Sequence, residues 1–556
     1  MTPRLAGHAL VEALIAQGVH TAFGVPGESY LAVLDGFAQY RDQIRFIACR
    51  QEGGAAFMAE AQGKLSGRPG ICFVTRGPGA TNASIGVHTA FQDSTPLILF
   101  VGQVASDQRD REAFQELDYR QMFGPGTLGL AKWVGEVQHA DRLPEYVARA
   151  FHTALQGRPG PVELAIPEDM LRDEVEALDR PRVPPVAETP DPGAIAAMID
   201  LLKDAAAPVA IIGGADWSPC AAHHWANFAV RHGIPTAAAF RRQDAVDNDC
   251  GVYAGQLGYG PSPQLQQRVR DADLLLVIGA RLGEATTDGY TLITPDHPGQ
   301  LLVHVHPDPN ELGRVYHADL PICADMSEFS EMAADWHDPE LVRFSAGDEA
   351  HAEWLEWSEP KPRDGVKLDL GPCVAAMREA LPADTIICNG AGNFSGWWHR
   401  YWRYAAMPCQ LAPTSGTMGY GLPAAVAASL RFPDRTVVCV AGDGDFLMNG
   451  QELATAAQYG ADLLVILVDN RAYGTIRMHQ ERDYPERISA TGLTNPDFVK
   501  LAEAFGGWAE RVVTTADFAP ALGRAIERKG IRLLHCLTDV EVISNATTIS
   551  RLREKG

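Results

Sequence analysis

The sequence predicts an α/β protein of three domains, each a doubly wound, mainly parallel sheet between helices. Three observations carry that expectation. Short, nearly unbroken apolar runs recur along the chain, such as Gly70 to Thr75 (GICFVT), Leu274 to Gly279 (LLLVIG) and Leu463 to Val468 (LLVILV). Runs of this kind mark strands buried on both faces, as parallel sheets require. Helical patterns alternate with them, and 556 residues are too many for one core. Two stretches, Arg172 to Gly193 and Asp335 to Gly365, are acidic or proline-rich without a strand pattern and read as connectors. They leave domains at 1–172, 190–336 and 366–556.

Taken in order, Met1 to Gly24 reads as an amphipathic helix that lacks the apolar centre of a secretory signal. The first block then has strands at Phe46 to Ala48, Gly70 to Thr75, Pro96 to Val101 and Val162 to Ile166. The second has Val209 to Gly213, Leu274 to Gly279 and Leu301 to His306. The third has Thr385 to Cys388, Thr436 to Ala441, Leu463 to Val468 and Leu533 to Leu537. A formal charge of −23 argues against a nucleic-acid surface. No apolar run reaches membrane length. The ten cysteines stand singly, several inside apolar strands, which suits free thiols in a reducing compartment. A cytoplasmic enzyme is the expectation.

The most informative residues are Asp443 and Asn470. The run TVVCVA ends in Gly442-Asp443-Gly444, and the run LLVILV ends in Asp469-Asn470, with a helix between them. Asn449 is placed to cap that helix, with Glu452 as its capping-box partner. A strand–helix–strand unit is right-handed and parallel, so both polar residues leave carboxyl strand ends, where α/β sheets bind ligands. Neighbouring strands lie about 4.8 Å apart, close enough for a carboxylate and an amide oxygen to share an octahedral Mg²⁺ at roughly 2.1 Å. Such an ion completes its shell with water and phosphate oxygens. The flanking glycines would let a diphosphate approach the backbone. A plain Gly-Asp-Gly turn is the structural alternative.

The stretch GDGDFLMNGQELATAAQYGADLLVILVDN resembles the thiamine-diphosphate-dependent enzymes, whose pattern is GDG followed one strand later by an Asn pair; Asp469 replaces the first Asn. The resemblance implies Mg²⁺ on the side chains of Asp443 and Asn470 and on the Ala472 carbonyl. It puts Gly444, Asp445 and Tyr473 beside the cofactor. Thr75 to Asn82 (TRGPGATN) is similar to the TSGPGATN signature of the acetolactate-synthase-like branch, and the match runs on through NASIGVHTAFQDSTPLILFVGQV. Ala113-Phe114-Gln115-Glu116 repeats that branch's AFQE, in which Phe114 and Gln115 would line the reaction cavity. Gly392, Asn393 and Phe394 match the loop that touches the diphosphate. Gly416-Thr417-Met418-Gly419 is close to the family's GTMG, where the Gly416 carbonyl accepts from the cofactor amine and Met418 wedges between its rings. Glu52, opening a helix after a strand, corresponds to the glutamate that touches the aminopyrimidine. From an apolar pocket it drives the amine towards its imino form and so creates the carbon nucleophile. The resemblance also puts Gly27 near the thiazolium. Active sites between subunits of a homodimer or homotetramer are implied by analogy.

The pattern also departs. His479 stands where the branched-chain biosynthetic enzymes carry a Trp, and is either an acid–base group or a surface histidine. Ala285, in GARLGEA, replaces an Arg that fixes an acceptor carboxylate. Glu28 replaces a small residue beside Gly27. Asp308, in HVHPDPNELGR, resembles a region that contacts FAD, but a plain sheet edge fits equally. No G-x-G-x-x-G links a first strand to its helix there, against a nicotinamide dehydrogenase. The expected function is thiamine-diphosphate-dependent decarboxylation of a short 2-oxoacid, with pyruvate the leading donor, followed by carboligation to a second carbonyl compound. A simple decarboxylase or aldehyde lyase, and a non-catalytic regulatory subunit, are the alternatives.

Overall fold

A computed structural model describes residues 3–555 except 125–128, 296–298, 339, 342 and 406. It contains three six-stranded sheets, each parallel throughout, and a small antiparallel pair, Arg4–Leu5 with Glu174–Val175. The first sheet runs in the order Arg45–Ala48, Thr21–Gly24, Gly70–Val74, Leu97–Gln103, Pro161–Pro167 and Trp133–Glu136. The second runs Tyr253–Gln256, Thr236–Ala238, Pro208–Ile212, Leu274–Ile278, Leu301–His306 and Leu320–Cys323. The third runs Gln410–Leu411, Ile386–Asn389, Val437–Gly442, Leu463–Asp469, Ile531–Leu537 and Trp508–Val512.

The chain divides into two compact units. The first comprises 1–186 together with 422–432 and 449–461. Its sheet is sandwiched because both faces are apolar: Phe73 stacks on Phe100 with ring centroids 4.7 Å apart, beneath Ala6–Ala16 and Leu143–Leu155. Elsewhere in this unit helices Glu52–Ser66 and Gly77–Asp93 pack tightly together, since a Cβ at Gly86 would fall 2.3 Å from that of Ala56. The second unit holds the second and third sheets, with Trp225 in the core of one and Trp398 in that of the other.

The apolar runs read from sequence are strands, and the structure corrects three details. Met1 to Gly24 is not one helix: Ala6–Ala16 is helical and Thr21–Gly24 is a strand in the first sheet. The stretch from Asp335 to Gly365 is not mere connector, because helix Ala346–Trp357 lies in it and Trp354 packs edge-on against Tyr253 at 4.8 Å. Short or half-polar strands escaped notice, among them Tyr253–Gln256 and Trp508–Val512, which lie at sheet edges and lack a long apolar run. Cys72, Cys439 and Cys536 are free and buried in strands. Among the described residues, no helix is long and apolar enough to cross a membrane.

Candidate functional site

In the second unit, strands Val437–Gly442 and Leu463–Asp469 are paired neighbours, with Gly442 opposite Val468. Asp443 therefore begins a one-turn helix at one strand tip while Asn470 leaves the adjacent tip. Asn495 bridges Asp443 and Asp469: its Nδ2 donates to Asp443 Oδ2 at 2.7 Å and to Asp469 Oδ1 at 2.9 Å. His535 Nε2 lies 2.8 Å from Asp469 Oδ2. Asn470 Oδ1 accepts the Ala472 N–H at 3.0 Å, which folds the loop back on itself. Burial, with Asp469's charge adding to it, pushes the Asp443 carboxyl up to about 6 despite the Asn495 bond. Two acidic side chains so close and so buried want a compensating cation, and the oxygen-only set of Asp443, Asn470 and the Ala472 carbonyl suits a hard divalent ion.

The surrounding loops present backbone. Gly392 has φ +154° and Gly416 has φ +66°, and Gly416 is exposed with open space where a Cβ would stand. The Tyr473 ring covers Gly444, whose Cβ would come within 2.6 Å of it. Met418 is half-buried beside these glycines in sequence. Asp445 points inward: its Oδ1 accepts the Gly419 N–H at 2.7 Å and that of Ala391 at 3.3 Å, joining the two glycine loops. Burial raises its carboxyl to about 7. The side chains of Asn393 and Phe394 are committed within the protein. Asn393 Nδ2 donates to the Ile543 carbonyl, its Oδ1 accepts from Thr475, and the Phe394 ring lies against Gly442. The Asn393 backbone N–H is committed as well, donating to Thr475 Oγ1 at 3.1 Å. His479 is half-buried on helix Gly474–Asp483.

In the first unit, Glu52 opens helix Glu52–Ser66, whose N-cap is the Gln51 side chain accepting from Gly54 N–H at 3.0 Å. Glu52 is half-buried and its Oε2 accepts from Asn82 Nδ2 at 2.9 Å. A Cβ at Gly79 would stand 3.6 Å from Glu52 Oε1, so the TRGPG turn and Glu52 are neighbours. Gly27 is required by space: a Cβ there would meet Thr75 at 2.5 Å. Gln115, at φ +65°, gives its carbonyl to the Gly77 N–H at 3.0 Å, while the adjacent Phe114 stands 74% exposed. Glu116 fastens that loop by accepting from the N–H groups of Asp110 and Ala113.

Sequence reasoning missed two arrangements here. Arg76, 6% exposed, donates to Glu28 Oε1 at 2.7 Å and to Glu168. The signal was visible as two mismatches, Arg for Ser in TRGPG and Glu28 for a small residue, but nothing in the sequence paired them. Glu452 does not serve the predicted capping box. Asn449 makes no side-chain cap, the helix starts only at Leu453, and the Glu452 carboxylate goes instead to Arg50 and Gln51.

Three family models match the chain in order: the thiamine pyrophosphate enzyme N-terminal TPP binding domain over residues 4–122, the central domain over 195–332, and the C-terminal TPP binding domain over 390–536. The chain belongs to the thiamine pyrophosphate enzyme family. It is 33% identical over 522 residues to the acetolactate synthase large subunit of Parasynechococcus marenigrum, covering 90% of this chain and 82% of that one. It is 31% identical over 542 residues to the acetolactate synthase isozyme 2 large subunit of Escherichia coli, covering 95% of both. An acetolactate synthase of Arthrospira platensis is 30% identical over 550 residues, with 95% of this chain and 93% of the relative covered. Within the family, the chain lies on the acetolactate synthase large-subunit-like branch.

Proposed function

We propose that this thiamine-pyrophosphate-family enzyme decarboxylates a short 2-oxoacid, with pyruvate the expected donor, and joins the retained carbonyl unit to a second carbonyl compound. Bound thiamine diphosphate supplies the carbon nucleophile and the electron sink for loss of carbon dioxide. Asp443, Asn470 and the Ala472 carbonyl would hold Mg²⁺, with Gly392, Gly416, Gly444 and the backbone of Asn393 and Phe394 close to the diphosphate. Asp445 keeps two of these loops together. Met418 and Tyr473 shape the pocket walls. Glu52, held by Asn82, would bond the aminopyrimidine and move its proton. Gly27, Phe114 and Gln115 form the substrate side, and His479 is assigned to the acceptor end.

The observation that carries this reading is the side-by-side emergence of Asp443 and Asn470 from adjacent parallel strands. Its test is product analysis from labelled pyruvate, with and without an aldehyde or oxoacid acceptor, comparing wild type with Glu52→Gln. Release of carbon dioxide dependent on coenzyme, Mg²⁺ and Glu52 is expected. Full turnover by Glu52→Gln would overturn the assignment. Simple decarboxylation or aldehyde lysis is a second reading, favoured by the Arg76–Glu28 pair beside Gly27 and by Ala285 and His479 in place of the acceptor-gripping residues. A non-catalytic subunit would have no use for Glu52.

The same reading assigns 1–172, 190–336 and 366–556 to pyrimidine-binding, central and diphosphate-binding roles, in a cytoplasmic homodimer or homotetramer. In the central sheet, Arg281, Tyr290, His304, Arg314 and Tyr316 line a cavity of about 180 Å³. That suits a phosphate or a single ring, whereas pockets enclosing a whole ligand run to about 300–1,000 Å³. The residues fit part of an FAD, not all of it, and the visible spectrum of purified protein would decide.

A further inference from the structure

Glu452 is a carboxylate with no place in the chemistry assigned above, yet its side chain is 0% exposed. It sits at the end of a 3₁₀ turn, Gly450–Glu452, in the same compact unit as Glu52. The Arg50 N–H lies 3.1 and 3.3 Å from its two oxygens, the Gln51 N–H donates to Oε1 at 3.0 Å, and the Thr455 hydroxyl donates to Oε2 at 2.5 Å. The Arg50 guanidinium reaches away to the Ala48 carbonyl and Gln458. Glu452 therefore engages the backbone that leads into helix Glu52–Ser66 and not the charged head beside it.

Backbone amides at the start of a helix lack intrahelical partners and carry its positive end, so a buried carboxylate there is both satisfied and satisfying. Space confirms the fit, because a Cβ at Gly54 would stand 2.8 Å from Glu452 Oε1 and 3.0 Å from its Cγ. Gly54 is absent of side chain where the carboxylate must pass under the turn. The Gly54 N–H goes to the Gln51 side chain, and the Glu52 head is held by Asn82. The two peptides that flank Arg50, leading into Gln51 and then Glu52, are thus fixed by one side chain some four hundred positions along the chain.

We propose that Glu452 is a positioning residue for Glu52: its carboxylate clamps the Arg50–Gln51 backbone so that Glu52 leaves the helix start in one direction. The proposal rests on Glu52 as the proton-handling acid, and the experiment separates the two ideas. Hydrogen–deuterium exchange on coenzyme-free protein reads the clamp directly. In Glu452→Ala, the amides of Arg50 and Gln51 should exchange about tenfold faster or more, with the rest of the helix unchanged. On the loaded enzyme, exchange of the thiazolium C2 proton with solvent should slow about tenfold, with coenzyme Kd and substrate KM within about threefold of wild type. Glu452→Gln keeps one accepting oxygen and should recover part of both; it also serves if the alanine variant fails to fold. In a Glu52→Gln background, Glu452→Ala should slow proton exchange no further. Unchanged amide exchange, or an equal loss in that background, overturns the clamp. Faster amide exchange with C2 exchange intact in both single variants supports the clamp and overturns the role of Glu52.

Discussion

The tips of the third sheet and the mouth of the first solve the same problem, holding carboxylates in place, by different means. At the third sheet the backbone does most of it. Asp443 and Asn470 are delivered side by side because each follows directly on a buried apolar strand, and those strands are neighbours. At the first sheet no strand delivers Glu52 alone. Its direction depends on Gln51, Asn82 and Glu452, while Arg76 ties Glu28 to Glu168 across separate strand ends of the same sheet. Where a strand tip carries the functional group, a short motif suffices. Where a loop carries it, distant side chains must.

The contrast is tested most severely by removing each acid. Glu52→Gln should lower turnover by about 10²–10⁴-fold, the usual worth of a positioned acid–base group, while leaving Mg²⁺ and coenzyme affinity near wild type. Asp443→Asn should do the reverse, weakening Mg²⁺-dependent coenzyme binding by more than about a hundredfold, since it removes a ligand rather than a supporting contact. Calorimetry of coenzyme binding together with steady-state rates separates them. If both variants lost binding alone, the division of labour between the two sheets would be wrong.

A large effect on stability is expected at the helix after Asn470. Glu481, 1% exposed at its side chain, receives Arg553 of the C-terminal helix Ile549–Lys555 and Arg477 of its own helix. These bonds, Arg553 first, hold its carboxyl down at about 2. The folded value lies below the unfolded one, so the stabilisation is present above about pH 4.5 and is lost as pH falls towards 2. Glu481→Gln should cost on the order of 2–3 kcal/mol at pH 7 and flatten the stability profile across that window. Chemical denaturation at several pH values reads it.

Much of the third sheet's site was legible in the sequence because each cue was local: an apolar run, a glycine, an acid. Fold class followed from the same runs. What stayed hidden needed partners far apart in the chain. Glu452 looked like half of a capping box three residues long, and only folding shows that the amides of Arg50 and Gln51 outbid its own helix. Asn495 carries no motif at all, yet it touches both acids at the strand tips. Edge strands such as Trp508–Val512 were lost for the opposite reason: half-exposed, they need no apolar run.

Asn495 supplies an intermediate test. Its amide supports Asp443 from behind, so Asn495→Ala should weaken Mg²⁺ affinity about tenfold, as loss of such a supporting bond does, without the full collapse expected of Asp443→Asn. Titration with Mg²⁺ at saturating coenzyme measures it. Affinity equal to wild type would mean that the strand tips alone fix the ligand, which would make the contrast with the first sheet sharper still.

The smallest expected effect on stability, and the most telling for specificity, is at Glu28. Its side chain is 67% exposed, so its pair with Arg76 adds little to folding, about 0–1 kcal/mol. Arg76 remains paired with Glu168 when Glu28 is cut back, whereas Arg76→Ser strands Glu168 and should cost more. Together the three side chains leave one negative charge beside Gly27, an unfavourable neighbour for a carboxylate arriving as acceptor. Glu28→Gly should therefore leave the melting temperature within a few degrees and move the product ratio from pyruvate plus aldehyde towards the oxoacid-derived product by about tenfold. That is the scale of one charge–charge contact of about 1.4 kcal/mol. A ratio unchanged in Glu28→Gly would show that this ion pair only ties strand ends together. The mouth of the first sheet would then choose its acceptor through shape, with Phe114 and Gln115 the next residues to cut back.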